Sequence, residues 1–267
     1  MKTRYLAALA TLSFTTTVHA ATVAGLWEFD NQLDLGHATV GTDMVFFGSA
    51  PGTWSASLAD DFGTPLSGVI TTPGGGPENI FVTYNNIPAN GGGLYVNEWS
   101  FLMDIHSPIG SRNSWRALFQ TNPANANDTD YVIHPVDDSL GIGAIGYSDN
   151  PLLPIDETLW TRLVVTFSIP LSGQATIKSY LNGSFLFDHT HLFDGSDGRF
   201  AIESTFLFFS DDDGENAPLN VGTLALFDGA LSAAEVTAFG AAGAVVPEPG
   251  SAALLLAGCA AFLRRRR

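Results

Sequence analysis

The spacing of apolar runs constrains this chain more than any other feature. Runs of β-branched and aromatic residues recur through its middle, each stopped within a few residues by glycine, proline, asparagine or aspartate. The windows Val23–Phe29, Ile80–Tyr84, Glu98–Ile105, Trp115–Gln120, Tyr131–His134, Ile142–Tyr147, Trp160–Ser168, Ala175–Leu181, Phe185–Phe187, Thr205–Phe209 and Val221–Phe227 read as strands. Asn182-Gly183 lies between two of them and both residues tolerate positive φ, so a tight hairpin is expected there. No helices alternate with these strands, which argues against a parallel sheet, whose crossovers are helical. The expectation is an all-β, two-sheet antiparallel sandwich.

One helix is expected on that sandwich. Ser232 is placed to cap it, Glu235 completes a capping box and Gly240 ends it. Leu231, Ala234, Val236 and Phe239 would form its docking face, and the small residues of 241–246 read as a linker.

The two ends are of another kind. Lys2 and Arg4 precede the short apolar stretch Leu6 to Phe14, and Val18-His19-Ala20 supplies the small residues that signal peptidase reads. Residues 1–20 are therefore expected to be a leader, cleaved between Ala20 and Ala21. At the other end, residues 247–267 carry Pro247-Glu248-Pro249, the apolar run Ser251 to Leu263, and Arg264, Arg265, Arg266 and Arg267. The run is marginal for a membrane span, and the arginines resist translocation. The prolines keep the preceding segment extended and open to an enzyme.

That order resembles the PEP-CTERM sorting tail of Gram-negative bacteria. The resemblance implies transient insertion in the inner membrane and processing by an exosortase near Pro247-Glu248-Pro249. Delivery to the cell surface or extracellular matrix would follow. A plain C-terminal anchor is the alternative, which the arginines would suit equally.

Between these signals, residues 21–240 have the length of one large β domain. Of the 11 Lys+Arg, two lie in the leader and four in the tail, while of the 27 acids only Glu248 lies outside, leaving five cations against 26 acids, a net charge of −21. Such a surface repels nucleic acid and anionic lipid and suits divalent cations. Cys259 lies in the tail, so the domain has neither disulfide nor thiol chemistry, and 19 Phe and five Trp must supply its core.

The segments Gly25-Leu26-Trp27-Glu28-Phe29-Asp30, Trp160-Thr161-Arg162 through Asn182-Gly183, and Leu224 through Glu235 occur in an order that is similar to concanavalin A-like, laminin-G-type jelly rolls. Gly91-Gly92-Gly93, Phe119 to Asn122, Asp197-Gly198-Arg199-Phe200 and Asp211 to Glu215 add to the resemblance. It implies a jelly-roll fold whose members include lectins, adhesion modules and glucanases, so function must come from a site.

Three polar clusters are candidates. Asp211, Asp213 and Glu215, with Asp212, surround Gly214 and could wrap calcium, although the spacing is not that of an EF-hand; a solvated acidic turn is the alternative. His189 and His191 would share a strand face, but a pair lacks further metal ligands, and a polar strand edge is the better reading. Asn125, Asn127, Asp128 and Asp130 form an oxygen-rich loop that could contact a sugar or simply turn. Trp54, Trp99, Trp115 and Trp160 could stack on sugars, with a core role as the default.

Jelly-roll glucanases place two glutamates a few residues apart on one strand, and no two glutamates of the domain are that close. Glu28 and Asp30 share a strand face without a third carboxylate, and Gly-x-Ser-x-Gly and His-Glu-x-x-His motifs are missing. The expectations are therefore a non-catalytic carbohydrate-binding module, calcium-assisted or not, or a structural or adhesive surface protein without a small ligand. A glycosidase or lyase with a site assembled from distant strands is a third.

Overall fold

The computed structural model describes residues 21–48, 51–55, 68–75, 80–124, 126, 129–142, 146–148, 159–191 and 195–243. The expected leader (1–20), the expected sorting tail (247–267), the His191 side chain, Asn125, Asn127 and Asp128 lie outside the described residues. The chain is an all-β jelly-roll sandwich. One sheet contains β1 (Val23–Trp27), β3 (Thr53–Ser55), β4 (Val69–Thr71), β6 (Glu98–His106), β11 (Thr161–Ser168), β12 (Ala175–Leu181), β13 (Ser184–His191) and β15 (Asn220–Phe227). The other contains β2 (Val45–Phe47), β5 (Ile80–Tyr84), β7 (Arg116–Gln120), β8 (Tyr131–Ile133), β9 (Leu140–Ile142), β10 (Gly146–Tyr147) and β14 (Thr205–Phe208).

The first sheet runs β13-β12-β11-β6-β15-β4-β3 and the second β10-β9-β8-β7-β14-β5-β2, with antiparallel pairing throughout. β1 and β4 share one edge of β15, β4 meeting Asn220 and Val221 and β1 meeting Leu224 to Phe227. The Asn182-Gly183 turn joins β12 and β13 as expected, with both residues at positive φ.

Side-chain alternation along β6 shows how the layers form. Trp99, Phe101, Met103 and Ile105 enter the core between the sheets, while Leu102 faces the opposite way. There Leu102, Val164, Tyr180, Ala225 and Phe227 are covered by α1 (Ala233–Phe239), through Val236 and Phe239. Burial on both faces explains the unbroken apolar character of these strands. Trp99 stacks on Phe167 at 3.8 Å and reaches Phe119 of the opposite sheet at 4.8 Å, so aromatic packing joins the layers. The Tyr131 and Ser179 hydroxyls hydrogen-bond across the same gap, and burial pushes the Tyr131 phenol above its ordinary range.

The helix has the expected caps. The Glu235 N–H donates to Ser232 Oγ and the Ser232 N–H donates to Glu235 Oε2, and Gly240 ends the helix at φ 66°. Ala234 is exposed, so the docking face is Leu231, Val236 and Phe239. The fold also continues past Gly240. Ala242 packs on Val69 and Trp160, and the Gly243 N–H donates to Asp104, so these two residues of the expected linker belong to the domain. Beneath it lies a fully buried ion pair, Asp104 with Arg162. Among the described residues no helix is long and apolar enough to cross a membrane.

Candidate functional site

Three loops meet beside β7: residues 72–75 after β4, 107–115 between β6 and β7, and 209–219 between β14 and β15. They are zipped together by backbone. The Ala217 N–H donates to the Trp115 carbonyl at 2.8 Å, the Gly75 N–H to Asn216 at 3.1 Å and the Thr72 N–H to Leu219 at 2.8 Å. The Leu219 N–H returns to Thr72 Oγ1 at 2.9 Å, and the Ser111 hydroxyl donates to the Pro218 carbonyl.

Between these loops lies a groove of about 570 Å³, lined by Gly74, Gly75, Gly110, Asn113, Trp115, Glu215 and neighbouring residues. That volume is typical of a small-ligand site. Glycine lines it on two of the loops. A Cβ on Gly74, at φ 59°, would lie 2.5 Å from Pro218 Cδ, so only glycine lets the loops approach this closely. A Cβ on Gly110, which lines the groove, would meet nothing within 4 Å.

Arg116 holds the groove from below. Its buried guanidinium donates to Ser107 Oγ at 2.9 Å, to the His134 carbonyl at 3.1 Å and to the Asp138 carboxylate. This binds the loop after β8 to the loop before β7. Trp115 is half-buried, with the His134 ring edge-on at 4.9 Å and Tyr147 at 6.1 Å. His134 Nδ1 lies 3.0 Å from Asp137. The Ser139 side chain and backbone, then His134, hold the Asp137 carboxyl below its ordinary range.

The acidic loop forms one side of the groove. One oxygen from each of Asp211, Asp213 and Glu215 lies within 4.8 Å of the others, so the structure brings these three together as expected. Asp211, however, organises the loop. Its Oδ1 accepts the Thr129 N–H, with the Thr129 hydroxyl, which donates chiefly to the Ser210 carbonyl, 3.1 Å away, and its Oδ2 accepts the N–H groups of Asp213 and Glu215. Three N–H groups therefore share the four acceptor positions a carboxylate offers. Burial pushes its carboxyl up, but hydrogen bonds with Asp213, Thr129 and Glu215 outweigh this and hold it below the ordinary value. Calcium takes six to eight oxygens. Among the described residues the side chains of Asp211, Asp213 and Glu215 supply only part of such a set.

Of the other clusters, Asp130 and His189 are described and both have structural duties. Asp130 is buried, accepting the Thr121 N–H and hydroxyl and the Arg199 Nε, so it supports its loop and does not face a sugar. His189 lies inside the sandwich against the Tyr131 and Phe187 rings, which corrects the reading of a polar strand edge. Trp99 and Trp160 are core, as is Trp27, while Trp54 and Trp115 are half-buried. Trp54 donates to the Phe29 carbonyl and lines a second cleft with Phe46 and Met44.

Glu28 and Asp30 do not sit on a strand face. β1 ends at Trp27 and Phe29 has φ 53°, yet both carboxylates line a shallow polar groove with His37 and Thr39. Near it the Asp34, His37 and Asp43 side chains converge, an exposed cluster that sequence spacing does not reveal. The Trp115 groove was equally hidden. Its clues were the Gly74-Gly75 pair and Asn113, which adopts φ 63°.

No protein-family model and no curated protein sequence matches the chain. Among solved structures it is similar to domain 4 of AbnA, a GH43 extracellular arabinanase from Geobacillus stearothermophilus, in complex with arabinotriose. The identity is 18% and the TM-score 0.52, over 82% of this chain and 98% of that one. It is also similar to the binding domain of Paraclostridial Mosquitocidal Protein 1, at 12% identity and TM-score 0.50, over 82% of this chain but only 51% of that one. At such identities these likenesses establish the β-sandwich fold.

Proposed function

We propose that the sandwich is a non-catalytic carbohydrate-binding module of an exported protein, holding its glycan in the groove beside Trp115. The observation that carries this reading is the groove's make-up. It combines a half-buried indole, the amide of Asn113, the carboxylate of Glu215 and walls lined by glycine. Sugar rings present apolar C–H faces to an aromatic ring and hydroxyls to amides and carboxylates. The arabinanase domain, a similar sandwich in complex with arabinotriose, supports it. Glu215 is the single carboxylate among the described residues that line the groove, whereas glycoside hydrolysis needs two flanking the bond.

The test is a glycan screen followed by calorimetry, using full-length chain in a non-ionic, non-glycosidic detergent. A bound glycan should be lost with Trp115→Ala and blocked by Gly110→Leu, while Trp54→Ala leaves it bound. Binding indifferent to Trp115 and Gly110 would refute the site, and an empty screen would favour a structural or adhesive role.

The proposal places this module outside the cell. The leader pattern before Ala21 and the order of Pro247-Glu248-Pro249, apolar run and arginines support export by signal peptidase and exosortase, with transient insertion in the inner membrane. Mass spectrometry of surface protein should find Ala21 first and Arg264 to Arg267 missing. Surface protein that retains the arginines would favour a permanent anchor.

A further inference from the structure

We infer that the groove selects neutral glycans and rejects anionic ones; this rests on the carbohydrate reading and narrows its ligand class. The argument starts from which groups could meet a sugar carboxylate. No Lys or Arg is among the described residues lining the groove. Its charged wall is Glu215, backed by Asp211 and Asp213 with carboxylate oxygens within 4.8 Å of one another.

None of the domain's five cations lines the groove. Arg116 pairs with Asp138, Arg162 with Asp104 and Arg199 with Asp130, Arg112 lies 3.9 Å from Asp138, and Lys178 stands on β12 opposite Asp188 in the register. A uronate in the groove would therefore bring one acceptor-only carboxylate against another, with no cation between them. Hydroxyl groups of a neutral sugar are donors, and Glu215 accepts from them without repulsion. The net charge of −21 between Ala21 and Val246 adds a long-range field of the same sign.

Two consequences separate this from general stickiness. Repulsion between exposed charges is screened by salt, so anionic oligomers should bind more tightly as ionic strength rises, while neutral oligomers should change little. Removing the Glu215 charge should narrow the difference at low salt. Both run against what a cationic or polysaccharide-bridging surface would do.

The experiment titrates full-length chain, in non-glycosidic detergent with chelator, against neutral arabinan, xylan and mannan oligosaccharides and against oligogalacturonate of equal length. At low salt the best neutral ligand should bind at least about tenfold more tightly than oligogalacturonate, the scale of one screened like-charge contact. High salt should shrink that ratio, and Glu215→Gln should shrink it at low salt with the melting temperature kept. Oligogalacturonate bound as tightly as the best neutral oligomer at low salt would overturn the inference while leaving the groove reading intact. So would a selectivity that ignores both salt and Glu215→Gln. Binding of no oligosaccharide of either class would instead overturn the carbohydrate reading and this inference with it.

Discussion

Arg162→Met would strand one half of an ion pair that has no exposure to solvent. Arg162 Nε and Nη2 each donate to an Asp104 oxygen at 2.7 Å, and Nη1 donates to the Phe239 carbonyl at 2.7 Å, at the end of α1. Asp104 also accepts the Gly243 N–H at 3.1 Å, so the pair ties the segment after α1 to the sheet. Removing one partner leaves a buried charge uncompensated, at a cost of about 3–5 kcal/mol. In a domain of this size each kcal/mol moves the melting temperature by roughly 2–4 °C, so a fall of about 6–20 °C is expected. Urea unfolding should report the same free energy, and hydrogen exchange should rise first along α1. Asp104→Leu combined with Arg162→Met removes both charges and should recover most of the loss. An Arg162→Met protein within about 1 kcal/mol of wild type would refute the reasoning, because that is the worth of an exposed pair.

Acid should act through carboxylates that the fold holds below their ordinary range. For Asp197 the leading cause is the Leu94 N–H, aided by Asn97 and Tyr95 against the opposing effect of burial; Asp211 is held low in spite of its burial. Stability from a depressed carboxyl is complete above the unfolded value of about 4 and is lost as pH falls through the folded value. Melting temperature should therefore drop below about pH 4, and Asp197→Asn should flatten that limb; an unchanged limb would assign it to other groups. Ser232→Ala should cost about 1 kcal/mol in urea unfolding through loss of the capping box, and Ser232→Gly less; equal and negligible effects would show the helix is held by packing alone. Since three N–H donors occupy Asp211, melts in calcium and in chelator should coincide, whereas a rise in calcium that Asp213→Asn abolishes would show ion binding.

Much of the fold was legible because burial on both faces makes the inner strands long apolar runs. β5 and β12 stand where their windows placed them, and β6, β11 and β15 differ by a residue at an end. β2, β3 and β4 were hidden because each has only three residues and two of them lie half-exposed, too short to show a period. The window Ile142–Tyr147 divides between β9 and β10, and β13 runs past Phe187 through the two histidines. The helix was legible to the residue because its caps are chemical signals in adjacent positions. The groove was not, because Gly74, Gly110, Trp115 and Glu215 come from three loops that only the fold brings together. The acidic cluster showed the converse limit. Its composition suggested convergent carboxylates, while the Thr129 N–H that Asp211 also accepts comes from more than eighty residues away.

The central claim is that a glycan docks on Trp115, and the five indole N–H resonances test it most directly. Trp27, Trp99 and Trp160 are buried in the core and Trp54 lines a separate cleft, so each tryptophan reports on a different place. Titrating ¹⁵N-labelled chain with the best neutral oligosaccharide should shift the Trp115 indole signal, assigned by Trp115→Phe, and leave those of Trp27, Trp54, Trp99 and Trp160 in place. A saturable titration that moves Trp54 and not Trp115 would contradict the account and locate the ligand in the other cleft.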